Sequence, residues 1–112
     1  MTEKRVFNLL DVSGVDMNMP CELTQTLAAG KNVKIERIVS AGHASPKDFW
    51  YNQRQAEWVM VLDGSAEIEF ADGNISALVA GDSLLIPAHQ RHRVKSTATD
   101  KPTIWLAVFF DE

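Results

Sequence analysis

A chain of 112 residues with 46% hydrophobic and 23% charged residues has the make-up of one ordinary globular domain, which excludes a disordered segment or a fibre. A formal net charge of −4 leaves no basic footprint, so no nucleic-acid partner is expected. The lone cysteine, Cys21, excludes an internal disulfide and a cysteine-based metal site. No apolar run approaches the roughly 18 residues that cross a bilayer, so no membrane partner is expected, and Asp11 and Ser13 interrupt the N-terminal stretch before it could read as a secretory leader. A cytoplasmic protein is the expectation.

From Glu22 onward the hydrophobic period is mostly two, with turn signals every eight to twelve residues, the pattern of an all-β sandwich or barrel. Residues 1–21 read as an arm or edge segment of this single domain, within which 6–12 and 15–19 suit a short helical turn or an edge strand equally. The barrel core then occupies about 22–110. Strands are expected at 22–28 and 33–39 around the turn Gly30-Lys31-Asn32. A loop, SAGHASPKD, is broken by Gly42 and Pro46. Strands follow at 57–62 and 65–71, separated by Asp63-Gly64, and at 75–79 after the Asp72-Gly73-Asn74 hairpin signal. Gly81-Asp82 turns the chain into 83–86, which Pro87 ends by removing a backbone donor. The last two strands are 91–96 and 103–110.

Strand parity locates part of the interior. In 65–71, Ala66, Ile68 and Phe70 face one way, and Glu67 and Glu69 face the solvent. In 91–96, Arg91, Arg93 and Lys95 belong outside as a solvated row, which places His92 inside with Val94. In 57–62, Glu57, Val59 and Val61 share one face and Trp58, Met60 and Leu62 the other. Both faces are apolar enough that parity alone leaves the choice open.

Glu57 followed by six residues and Gly64, and Gly81, Pro87 and His92 at their mutual spacing, resemble the two motifs of the cupin family over roughly residues 33–110. The resemblance implies a double-stranded β-helix, or jelly-roll barrel, with a divalent metal at its mouth. It places Glu57 and His92 at ligand positions and turns Glu57, Val59 and Val61 inward. The chain departs from the family pattern where two histidines precede the glutamate: Tyr51 and Gln53 stand there, or Trp50 and Asn52 with the alternative spacing. His89 replaces a motif glycine, and His43 lies in the preceding loop. A relocated ligand set of Gln53, Glu57, His89 and His92 is one arrangement to test, with Zn, Fe, Mn, Ni or Cu equally compatible with such donors.

Burying Glu57 and His92 in an apolar barrel is costly unless they are paired, hydrogen-bonded or metal-bound. That leaves three readings. One is a metal-dependent enzyme, dioxygenase- or isomerase-like, in which Tyr51 or His89 handles a proton. Another is a non-catalytic module for a small-molecule ligand. The third is a metal-free structural barrel whose output is dimerisation. His89 and His43 also read as plain loop residues, and Phe49, Trp50, Trp58 and Trp105 as packing. Because EWVMVL and TIWLAVFF are apolar on both faces, the outer face needs a cover, either the N-terminal segment or a second subunit in a twofold homodimer.

Overall fold

Alternation of apolar and polar residues makes each strand bury one face, and the turns between them are set by residues that tolerate positive φ. The computed structural model describes residues 6–112. It contains eight strands: β1 (Leu23–Gly30), β2 (Val33–Ser40), β3 (Ala56–Asp63), β4 (Ser65–Phe70), β5 (Ile75–Val79), β6 (Ser83–Ile86), β7 (His92–Thr97) and β8 (Thr103–Phe110). Every expected strand is present, with ends moved by no more than two residues. All pairings are antiparallel, in a five-stranded sheet ordered β1-β2-β8-β3-β6 and a three-stranded sheet ordered β5-β4-β7. This is a jelly roll.

The turns follow the sequence signals. Asn32 and Gly73 have φ of 64° and 96° at the tips of the β1–β2 and β4–β5 hairpins, and the Asp72 carboxylate accepts the Asn74 N–H at 2.9 Å. Gly64 has another task. β3 and β4 belong to different sheets, so the chain turns a corner there with φ 89°. Buried Thr103 braces that corner, donating its hydroxyl to the Ser65 carbonyl at 3.0 Å.

Between the sheets, Val59 and Val61 of β3 pack with Ala66, Ile68 and Phe70 of β4, Leu78, Ile86, Trp105 and Ala107. Parity in β4 is therefore as read, and in β3, where parity left both faces open, Glu57's face is turned inward as the resemblance implied. In β7 the alternation breaks: Ile68 pairs with Val94 but Glu67 with Ser96. Lys95 is the extra residue of a β-bulge, and past it Thr97 faces the interior at 7% exposure.

Residues 6–22 form neither an edge strand nor a helix. They run through successive tight turns closed by Asp11 N–H to Asn8 O, Val15 N–H to Val12 O and Met19 N–H to Asp16 O, with Asn8, Asp11 and Asp16 side chains accepting local N–H groups. Such short polar side chains satisfy the backbone locally and so compete with regular structure. The arm covers one end of the five-stranded sheet's outer face. There Arg37 is 3% exposed, donates to the Asp11 carbonyl at 2.5 Å, and lies 5.3 Å from the Phe7 ring centre. Among the described residues no helix is long and apolar enough to cross a membrane.

Candidate functional site

Strand register builds the site in rows. Lys34 of β2, Phe109 of β8, Glu57 of β3 and Ile86 of β6 are successive cross-strand neighbours. Two residues along, Glu36 and Val59 flank Ala107, and two further, Thr24, Ile38, Trp105 and Val61 form the next row. From the other sheet Ile68, Val94 and His92 face them. Together with Glu22, Tyr51, Gln53, Arg54 and Gln55 these inward groups, Val61 and Ala107 excepted, line a cavity of about 520 Å³ open at one side, within the range of small-molecule sites.

The polar centre is Glu57 and His92. His92 is 4% exposed, and its Nε2 lies 3.6 Å from Glu57 Oε1, an electrostatic contact just beyond hydrogen-bond reach. Its Nδ1 lies 2.9 Å from the Gln90 carbonyl. A carbonyl only accepts, so Nδ1 carries hydrogen, and a neutral ring would then turn the Nε2 lone pair toward a carboxylate. Burial works against a charged imidazole, but the Glu57 carboxylate and the Gln90 carbonyl favour it, and the His92 pKa is raised on balance.

Tyr51 joins this pair through the backbone. It bridges to His92 by two reciprocal N–H to carbonyl bonds of 2.7 and 3.2 Å, and the two rings stack at 5.4 Å. Burial, with the negative charges of Glu22 and Glu57, raises the phenol pKa, so the hydroxyl holds its proton. Phe49 packs edge-on against Tyr51 at 4.9 Å. Trp50 lies outside the pocket, near Arg91 and Arg93 at 5.8 and 6.0 Å.

His89 does not join the pocket. Its side chain is exposed, its φ is 64°, and its Nδ1 is 2.9 Å from Asn52 Oδ1, so the four-residue ligand set Gln53, Glu57, His89 and His92 is not assembled. Pro87 and the left-handed residue after Ala88 swing that side chain away from the barrel, a local geometry that spacing does not reveal. Gln53 lines the cavity with its Oε1 buried and unpartnered. His43 ties the arm to the loop, accepting the Ala41 N–H at 2.9 Å and reaching the Met19 carbonyl at 2.9 Å.

Among the described residues no three His, Cys, Asp or Glu side chains are grouped to hold a metal ion. Glu57 and His92 supply two donors and Gln53 a weaker amide oxygen, short of the three or four good protein ligands such sites use. These residues do not fit a metal centre.

Sequence reasoning missed Glu22, Lys34 and Glu36, all of which line the cavity. Lys34 and Glu36 alternate with Ile35 and Arg37, so both faces of that strand mix charge and carbon, and parity is silent. Glu36 is only 8% exposed and pairs with Lys34 at 3.1 Å. Glu22 precedes β1 and accepts the Ser40 hydroxyl, while Ser40 accepts the Trp105 indole N–H at 3.1 Å.

A family model described as the cupin domain matches residues 36–109. A protein from Ralstonia eutropha JMP134, provisionally titled a mannose-6-phosphate isomerase, is 46% identical. The match covers 97% of this chain and 100% of that one, with a TM-score of 0.89. A cupin superfamily protein from Desulfitobacterium hafniense DCB-2 is 22% identical over 98% of this chain and 94% of that one, with a TM-score of 0.75. A conserved Streptococcus pyogenes protein of unknown function is 19% identical over 100% and 91%, with a TM-score of 0.73. The last two likenesses speak to the fold alone. No curated protein matches.

Proposed function

This chain belongs to the cupin family, and from that premise we propose that it binds a small polar metabolite in the barrel and moves a proton on it, as an isomerase does. One observation carries the reading: Glu57 and His92 stand 3.6 Å apart in the wall of a cavity of about 520 Å³, with the protonated Tyr51 stacked on the imidazole. Glu57 is the carboxylate that can accept a proton from carbon beside a carbonyl. His92, held toward its charged form, and Tyr51 can donate to the carbonyl oxygen. Val59, Ile68, Ile86, Val94 and Trp105 keep the reacting end away from bulk water. The 46% identical Ralstonia protein, provisionally described as a mannose-6-phosphate isomerase, supports the same reaction type.

The test is hydrogen exchange. Mannose, glucosamine and mannose 6-phosphate are each incubated with the protein in D2O, and deuterium at C2 is followed by NMR. Incorporation that disappears in Glu57→Gln and His92→Asn supports proton transfer. Binding without incorporation reduces the protein to a ligand-binding module. The same preparations are assayed for bound metal: a stoichiometric ion lost in both variants would replace the metal-free reading with a divalent-metal one. The proposed assembly is a homodimer through the outer face of the five-stranded sheet, and the proposed location is the cytoplasm.

A further inference from the structure

The cavity carries three carboxylates, and they are not equivalent. Glu36 is paired with Lys34 at 3.1 Å, and Glu57 faces His92 at 3.6 Å. Glu22 has no cationic side chain in ion-pair contact among the described residues. Strand geometry explains why the pocket's two permanent cations do not serve it. Glu22 sits beside Ser40, at the end of β2, and Lys34 is six residues back along that strand, about 20 Å at the usual rise per residue. Arg54 stays at Lys34's end, 3.7 Å from Asp111, whose N–H reaches the Asn32 carbonyl. His43 approaches Glu22's neighbourhood through Met19 and Ala41, but its Nδ1 accepts an N–H and its Nε2 faces the Met19 carbonyl, so both ring nitrogens are engaged.

Glu22 is nevertheless held in place. The Trp105 indole, 3% exposed, donates to Ser40, which is fully buried, and Ser40 donates to Glu22 Oε2. The Ser40 hydroxyl, itself held by the Trp105 indole, thereby fixes the direction of a carboxylate that remains part of the cavity wall. Glu22 is half-buried, and one of its carboxylate oxygens is left without a side-chain donor among the described residues. A ligand that brings a positive charge gains a charge-assisted hydrogen bond there.

We propose that Glu22 is the specificity-determining carboxylate of the pocket, selecting a small molecule that carries a protonated amino group. The proposal rests on the reading of the barrel cavity as a ligand site. The ammonium group binds the Glu22 oxygen not engaged by Ser40, and the rest of the ligand extends into the cavity. Trp105 forms part of the cavity wall and, through Ser40, is coupled to what Glu22 binds.

Matched pairs test this: glucosamine against glucose, and cyclohexylamine against cyclohexanol, titrated into the whole protein near pH 6.5 by calorimetry and tryptophan emission. Each amine is expected to bind about tenfold or more tightly than its alcohol, the scale of one charge-assisted hydrogen bond. Glu22→Gln, which keeps an acceptor for Ser40, removes the preference. The emission change on amine binding is absent in Trp105→Phe and reduced in Ser40→Ala. An amine that binds no better than its alcohol overturns the proposal, as does a preference that survives Glu22→Gln. Deuterium exchange into an uncharged sugar without amine preference would leave the isomerase reading standing and this one overturned. Amine preference without exchange would do the reverse.

Discussion

His92 takes its chemistry from two neighbours. Gln90 occupies Nδ1 and Glu57 faces Nε2, so the charged imidazole is favoured in the fold although burial opposes it, and its pKa is raised. A raised folded-state value means that protonation and folding support each other. The contribution is fully present below the ordinary imidazole value of about 6.5 and is lost as pH rises through the raised value. Melting temperatures of wild type and His92→Asn, followed from about pH 5.5 to pH 8.5, are expected to converge as pH rises, and parallel curves would contradict the pairing. Tyr51→Phe keeps the ring stacked on His92 and removes only the phenol. Ligand affinity should change little, while the exchange rate falls by about 10² or more, the usual worth of a positioned proton donor. Glu57 and His92 were legible in the sequence because one parity and two motif spacings pointed at them. The third carboxylate, Glu22, was hidden because its partner Ser40 lies across β1 and β2, and no local pattern records that pairing.

At the scale of elements, the β3–β4 corner and the β4–β5 hairpin look alike in sequence, since each is an Asp-Gly turn. They differ in what surrounds the glycine. A Cβ on Gly64 would stand 2.5 Å from Thr103 Oγ1, 2.7 Å from Thr103 Cα and 2.9 Å from the Pro102 carbonyl, whereas a Cβ on Gly73 meets nothing within 4 Å. Both have positive φ, so alanine is strained at either place. Gly73→Ala is expected to cost about 1 kcal/mol, the backbone term alone. Gly64→Ala adds a clash with backbone atoms that cannot step aside and should cost about 3 kcal/mol or more. Urea denaturation of the two variants checks the ranking, and equal losses would refute it. The Lys95 bulge is the comparable case within a strand: strict alternation holds for His92 and Val94 and fails one residue later, where the extra residue is set by pairing with β4.

Across the whole molecule, the outer face of the five-stranded sheet is divided between two covers. The arm covers the Arg37 end, where Arg37→Ala removes the bond to Asp11 and the stacking on Phe7 and should destabilise by about 1–3 kcal/mol. Circular-dichroism melting reads that loss. Further along, Ile35, Val108, Trp58 and Leu85 are cross-strand neighbours on the same outer face, and Leu85 is 53% exposed. In the proposed homodimer this row packs on its twin. Light scattering on a sizing column should give twice the chain mass for wild type and the single-chain mass for Trp58→Arg with Leu85→Glu. A monomeric wild type would refute the dimer.

What the sequence determined by itself was the all-β class, the order and nearly the bounds of eight strands, and the inward face of β4; the motif resemblance added that Glu57 and His92 stand inside. These depend on short-range regularities: the two-residue period of a strand, the φ demands of turns, and fixed spacings between motif residues. Only the tertiary structure decided that His89 turns away from the cavity, that Lys34 and Glu36 face inward, and that Glu22 stands at the pocket's far end beyond reach of its cations. Those outcomes depend on which strands pair and in what register, long-range choices made by burying both sheets at once. A carboxylate's role follows from the charges that the finished barrel brings near it, and among the described residues it brings no cationic side chain into ion-pair contact with Glu22.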